Sequence, residues 1–274
     1  MSARLTEIRV FPVKSTAGRP LDSVEVEPLG LTGDRRWMIV DLDGECVTAR
    51  TDADLLTIVA GTSGEDLTLR TGADGADTIT VAPPTGPVVE VTVHGRPLHG
   101  IPAGPEVGDW LAQVTGRRDL RLVHLGRPRP LNPDFSKPGD ATAFADAYPV
   151  TLASMASLRR VQDWVTETAL ERGEDPTEIS IDRFRPNLVI EGELEPFEEE
   201  GWQSVCVGEV VFDVAKLIDR CVLTTIEPTT RQRGHEPIRS LARHHAWDGK
   251  TWFGLQLIPR SHGPVRVGDR VTGT

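Results

Sequence analysis

The chain has 274 residues, 38% hydrophobic and 26% charged, enough for one large or two modest domains with a substantial core. A formal net charge of −11 argues against a nucleic acid or an anionic membrane as the main partner, although 30 Lys and Arg leave ample charge for a local basic pocket. Cys46, Cys206 and Cys221 are too few and too scattered for a disulfide framework, and no Cys-x-x-Cys pair offers a zinc or iron–sulfur site. The stretch from Met1 to Glu7 lacks the apolar core of a signal peptide, and no run is long enough to span a bilayer, so a reducing cytoplasm is expected.

Residues 4–13 alternate as a strand, with Ile8, Val10 and Pro12-Val13 leading into Lys14-Ser15. Further strands are predicted at Ser23 to Glu27 and Trp37 to Asp41, and Asp43-Gly44 is a hairpin signal before Glu45 to Ala49. Short strands and turns continue through Val81, Val88 to Val93 and His94-Gly95. Glu106 to Thr115 places Val107, Trp110, Leu111 and Val114 on one helical face. The Pro-rich stretch from Gly126 to Gly139 is a connector or an ordered loop over a site.

The strongest helical pattern runs from Ser154, a suitable N-cap, to Leu170. A strand at Leu188 to Ile190 follows, then the acidic run Glu191 to Glu200, read as a solvated loop. Strands are predicted at Ser204 to Val207 and Val210 to Val214, a short helix at Pro237 to Trp247, and strands again from Phe253 to Leu257 and Val265 to Asp269. His235, His244 and His245 fit no zinc spacing and read as surface residues, whereas Trp37 and Trp252 read as core.

One late stretch carries chemistry. Cys221 lies between Asp219-Arg220 and Val222 to Ile226, a β-branched run that reads as a strand and puts the thiol at its mouth. A neighbouring guanidinium favours the thiolate, the form that a nucleophile or a soft-metal ligand needs. The same context also suits a buried cysteine acting as a small hydrophobe, and lone Arg and Lys residues are most often solvated. The residues by themselves leave both readings open.

Asp219 to Pro228 resembles the cysteine motif of MOSC-domain proteins, in the branch of the amidoxime-reducing components and their bacterial relatives. Further stretches, in matching order, are similar to the same family: Phe11-Pro12-Val13-Lys14-Ser15, then Gly33 to Val40 with Val47 to Arg50, Ala147 to Leu158, Arg183 to Ile190, and Val265 to Val271. The resemblance implies a mainly β fold with a few helices (α+β). An N-terminal β-barrel domain over 1–120 would precede a MOSC β-barrel domain over 121–274, which binds the molybdenum cofactor.

It also implies a site. Cys221 would be the thiolate ligand of molybdenum. Lys14, Arg35, Arg185 and Arg220 would hold the phosphate and pterin, Arg by paired hydrogen bonds. Arg36 competes for the role of Arg35. Ser15, Ser154, Ser157, Asn187 and Asp219 would add directional hydrogen bonds. Residue by residue, Ser157 and Ser154 also suit an ordinary helix position and its cap, and Asp219 could simply pair with Arg220. The Phe253-Gly254-Leu255-Gln256 stretch departs from the branch's Phe-Gly-Gln-x, which alters the contact near the metal.

The implied activity is reduction of small N-hydroxylated compounds with the molybdenum cofactor (Mo-molybdopterin). No ferredoxin-like domain with its own cysteines follows Val271, so electrons are expected from a separate ferredoxin-, cytochrome b5- or flavoprotein-like donor. The rival expectation is a sulfur or cofactor carrier that uses Cys221 as a persulfide or metal-binding thiolate.

Overall fold

Alternate burial organises the first strand, and a bulge corrects it midway. In the computed structural model, which describes residues 3–71 and 77–274, β1 (Ala3–Val10) turns Ala3, Leu5, Ile8 and Val10 inward. A register shift between Leu5 and Glu7 lets the odd and even positions share one buried face. Met1 and Ser2, where the amino-terminal reading begins, lie outside the described residues.

A smaller β unit follows. It comprises β2 (Trp37–Val40), β3 (Val59–Ser63), β4 (Asp66–Thr71), β5 (Asp77–Val81), β6 (Val89–Val93) and β7 (Arg96–Pro102), then helix α1 (Pro105–Thr115) and β8 (Arg121–Arg127). The strands β2, β8, β7 and β6 form one sheet in that order, and β3, β4 and β5 form another. The apolar face of α1, built on Val107, Trp110 and Leu111, packs with Trp37, Ile39, Leu55 and Ile58. Asp43-Gly44 does turn the chain, with the Asp41 carboxylate accepting from the N–H groups of Asp43 and Glu45 at 3.0 and 2.9 Å. The expected return strand does not form: Glu45 and Cys46 make only isolated bridges.

The later part closes a barrel around a second core. Its strands are β9 (Val150–Ser154), β10 (Leu188–Gly192), β11 (Ser204–Val207), β12 (Val210–Asp219), β13 (Lys250–Pro259) and β14 (Arg270–Gly273), with helix α2 (Met155–Arg172) between β9 and β10 and α3 (Ile238–His244) between β12 and β13. The order is β9-β10-β1-β14-β11-β12-β13, and β9 pairs back on β13 to complete seven strands. Only β9 and β10 run parallel, joined through α2 as a parallel pair requires. The first strand of the chain is therefore a stave of the last barrel, pairing with β10 and β14. Leu5, Ile8, Leu152, Phe212, Leu255 and Leu257 are all fully buried inside it.

The motif stretch at Cys221 differs from the expected strand. The strand lies before the thiol, because β12 continues through Asp219 rather than stopping at Val214. Val222–Thr225 form a 3-10 turn, since the N–H and Oγ1 of Thr224 both donate back to the Cys221 carbonyl, at 3.1 and 3.0 Å. Local side-chain hydrogen bonding here outweighs β propensity.

Ser154 caps α2. Its Oγ accepts from the Ser157 N–H at 3.1 Å and donates to the Ser157 hydroxyl at 2.8 Å. The Ser157 hydroxyl in turn donates to Glu199 at 2.7 Å and accepts from the Phe197 N–H. Ser154→Ala is expected to cost about 1 kcal/mol of stability, as lost N-caps do. A melting curve beside wild type checks it.

The acidic run is not wholly solvated: Glu199 is fully buried and its Oε2 has no partner. Burial pushes its carboxyl above the ordinary value of 4.5, against the Ser157 hydrogen bond. A proton held more tightly in the folded state stabilises fully below the unfolded pKa, and that stabilisation fades as pH rises through the folded value. Glu199→Gln should therefore remove this slope, melting increasingly above wild type as pH rises past 4.5. Equal slopes in both proteins would contradict the assignment.

Candidate functional site

A surface depression of about 1010 Å3 along α1 is lined by Asp109, Arg118 and Arg121 but holds no thiol. The chemistry gathers instead in a smaller cavity of about 260 Å3, where the β1 end of the chain meets the ends of β12 and β13. Lys14, Ser15, Arg35, Arg185, Asp219, Arg220 and Cys221 all line it.

The backbone is bent to present three of these side chains. Ser15, Arg35 and Arg185 have φ of 68°, 49° and 54°, the left-handed region that a residue with a Cβ enters at a cost of roughly 1–2 kcal/mol. The Arg35 and Arg185 guanidinium groups both rest on the Phe11 ring, at 4.7 and 4.3 Å from its centre. Phe11 in turn lies against Gly18, where a Cβ would fall 2.5 Å from a ring carbon. That glycine keeps the platform in place.

The two guanidinium groups are not equivalent. Arg35 pairs with Asp34, whose other oxygen accepts from the Phe11 N–H at 2.7 Å, and it also donates to Asn187 Oδ1 at 3.1 Å. Buried Asn187 does not itself line the cavity. It ties Arg35 to the Thr151 N–H and hydroxyl, and donates to the Arg9 carbonyl at 3.0 Å. The Arg185 guanidinium has no hydrogen-bond or ion-pair partner among the described residues. Burial, and then neighbouring Arg35, draw its pKa down to about 9, so it remains a cation at neutral pH. Arg36 does not compete for this place, because it points to Glu27 at 3.1 Å.

Lys14 is 4% exposed and donates to the Phe144 carbonyl at 2.9 Å and to Asp146 at 2.5 Å. Asp146 is packed among protein groups yet open to the cavity. Burial opposes its ionisation, but Lys14, His94 and Arg50 overcome this and hold its carboxyl well below the usual range. The segment that carries it is fixed by Arg129, which donates to the carbonyls of Ala145 and Ala147, both at 3.1 Å. The Pro-rich stretch is thus an ordered loop that braces the cavity wall.

Arg220 does not pair with Asp219, which is exposed at the end of β12. It donates instead to the Phe253 and Phe184 carbonyls, both at 2.8 Å, and its Nη2 is buried without a partner. Burial pulls its pKa to about 9. Gly254, at φ 77°, makes the room: a Cβ there would lie 3.1 Å from Nη2 and 2.7 Å from the Leu152 carbonyl. Gln256 also lines the cavity, with its Oε1 buried and unpartnered. Cys221 is partly exposed to the same space.

Besides Asn187, two expected site residues lie away from the cavity. Ser154 and Ser157 are fully buried in the α2 cap and do not reach the cavity, because their hydroxyls are used by each other and by Glu199. The sequence reading put Gln256 near the expected metal site but missed Arg50, Asp146 and Arg183 as cavity residues. Arg50 closes the Val47 to Arg50 stretch, Asp146 adjoins the Ala147 to Leu158 stretch and Arg183 opens the Arg183 to Ile190 stretch, so all three lay within reach of the motifs. The histidine reading needs correction at His245, which is half-buried, stacks on Phe197 at 3.9 Å and reaches Glu200 at 3.0 Å. Trp252 is only half-buried and packs on exposed Trp247.

Among the described residues, no group of three or more His, Cys, Asp or Glu side chains could hold a metal ion. The cavity instead offers one thiol beside cationic and amide groups that lack partners. Two family matches account for nearly all of the chain: the MOSC N-terminal beta barrel domain over residues 2–118 and the MOSC domain over residues 139–272. This is a MOSC-domain protein.

Human mitochondrial amidoxime-reducing component 1 is 29% identical over 286 residues, covering 97% of this chain and 82% of that protein. Bovine mitochondrial amidoxime reducing component 2 is 27% identical over 291 residues, with the same coverage of 97% and 82%. A molybdenum cofactor sulfurase of Drosophila grimshawi is 30% identical over 284 residues, where the MOSC chain covers 98% of itself but 34% of the sulfurase. Both groups of relatives align with both of its domains.

Proposed function

We propose that this chain is a molybdenum-cofactor-dependent oxidoreductase that reduces small N-hydroxylated compounds. Two electrons and two protons would convert each N–OH to N–H and release water. The electrons would come from a separate donor protein of ferredoxin, cytochrome b5 or flavoprotein type. The observation that carries the reading is the unpaired, half-buried Arg185 cation in the same cavity as the accessible Cys221 thiol. A cation partly withdrawn from water without a partner is costly, and an anionic ligand relieves that cost. Similarity to amidoxime-reducing components over 97% of the chain supports the choice of reaction.

The residues present fit such a cofactor. Arg185, with Arg35 and Lys14, would bind its phosphate, and the partnerless Arg220 Nη2 and Gln256 Oε1 would meet pterin acceptors and donors. Cys221 would provide the single protein thiolate on the metal. When bound, the cofactor supplies a two-electron redox centre, and the protein supplies position and electrostatics. Asp146 stays ionised beside Lys14, so its part is to orient that ammonium rather than to donate a proton.

Net charge of −11 fits a small-molecule enzyme better than a nucleic-acid or membrane binder, and a cytoplasmic location is part of this proposal. No helix among the described residues is long and apolar enough to cross a membrane. Similarity to molybdenum cofactor sulfurases supports a second reading, in which Cys221 carries sulfur or hands on the cofactor. Reduction of benzamidoxime to benzamidine by cofactor-loaded protein with an artificial electron donor separates the two. Turnover supports the reductase; a persulfide on Cys221 without turnover supports the carrier.

A further inference from the structure

The cavity holds more cationic groups than its own residues neutralise. Lys14 and Arg50 have Asp146, Arg35 has Asp34, and Arg220 has two carbonyls. Exposed Lys216 lies over the Phe135 and Tyr148 rings, and the arginines Arg185 and Arg183 remain. Arg183 is only 6% exposed, lines the cavity, and has its Nε buried without a partner. Its guanidinium makes no hydrogen bond or ion pair among the described residues. The opposing charge that acts on it is Glu227, whose carboxylate is already engaged by the Thr230 N–H at 2.5 Å.

The two unpaired arginines face different parts of the site. Arg185 shares the Phe11 ring with Arg35, on the side of the β1 end and Lys14. Arg183 belongs to the turn Ile181–Phe184, which packs against the turn Val222–Thr225 that follows Cys221. One cofactor phosphate accounts for the first position. The second lies on the side of the thiol, where a substrate has to sit.

We infer that Arg183 is a second anion-binding position, so that the substrate handled beside Cys221 carries an acidic group of its own, a carboxylate or phosphate. A planar guanidinium with free donors matches either group by paired hydrogen bonds, and a buried one binds it more strongly than a solvated one. The inference rests on the proposed reductase reading for the N-hydroxylated end of that substrate. The acidic end is read from Arg183 alone.

The test uses full-length, molybdenum-loaded protein and ligands that cannot be reduced further. Calorimetry compares benzamidine with 3- and 4-carboxybenzamidine for wild type, Arg183→Gln and Arg183→Lys. Wild type should bind a carboxylate-bearing ligand at least about 10-fold tighter than benzamidine at low salt, with the ratio shrinking as salt rises. The ratio should fall towards one in Arg183→Gln and be partly kept in Arg183→Lys.

A ratio near one in wild type, or an unchanged ratio in Arg183→Gln, overturns the inference. So does a loss of bound pterin in Arg183→Gln, which would assign this arginine to the cofactor. The parent reading fails separately. Protein that prefers the acidic ligands but reduces neither benzamidoxime nor its carboxylated form keeps this inference and loses the reductase. Protein that reduces benzamidoxime with no acidic preference does the reverse.

Discussion

Cys221→Ser is expected to lose N-hydroxyl reduction by roughly 100-fold or more, since even residues one shell beyond a metal's ligands are worth 10–100-fold. Molybdenum content should fall with it. The melting temperature of the cofactor-free protein should stay close to that of wild type, because the thiol is partly exposed and its backbone carbonyl, not its sulfur, anchors the following turn through Thr224. Serine preserves that carbonyl. A variant that melts normally and still turns over would remove Cys221 from the chemistry. Activity assays, metal analysis and a melting curve on one preparation are sufficient.

The second large effect belongs to Arg185. Arg185→Met replaces an unpaired cation resting on Phe11 with an apolar chain that can keep the ring contact. Cofactor content is expected to fall about 10–100-fold in apparent affinity, the scale of one or two charge-assisted hydrogen bonds. The cofactor-free variant should melt higher than wild type, at about 2–4 °C for each kcal/mol relieved. Inorganic phosphate should stabilise cofactor-free wild type and leave the variant unmoved. Deprotonation above a pKa of about 9 removes the charge that holds the anion, so the phosphate effect should weaken as pH passes that value. A variant that melts lower and still responds to phosphate would place the anion elsewhere.

How much of this was legible depends on whether the signal is local. The α2 helix was readable because apolar residues recur at helical spacing behind a serine cap, and that cap also explains why the Ser154 hydroxyl does not line the cavity. The turn after Cys221 was misread because Val222, Thr224, Thr225 and Ile226 favour strands, while the outcome was decided by Thr224 bonding back to residue 221. Burial of Glu199 was invisible because it depends on Ser157, 42 positions earlier. The incorporation of β1 into the late barrel is set by pairings such as Leu5 with Ile190, which no window on the sequence spans.

Within the site, family motifs pointed to Lys14, Arg35, Arg185, Arg220 and Cys221, which line one cavity. They could not indicate which arginine is paired. Arg35 and Arg185 look alike in sequence, and Asp34 and Asn187 make the difference by engaging only the first. The same holds for Arg183, whose place against the Cys221 turn follows from the contact between two 3-10 turns.

The most direct measurement is the molybdenum and pterin content of the wild-type chain purified from a host competent in molybdenum cofactor synthesis. The account predicts about one molybdenum and one pterin per chain, in equal amounts. Absence of both from well-folded protein made in such a host would contradict it.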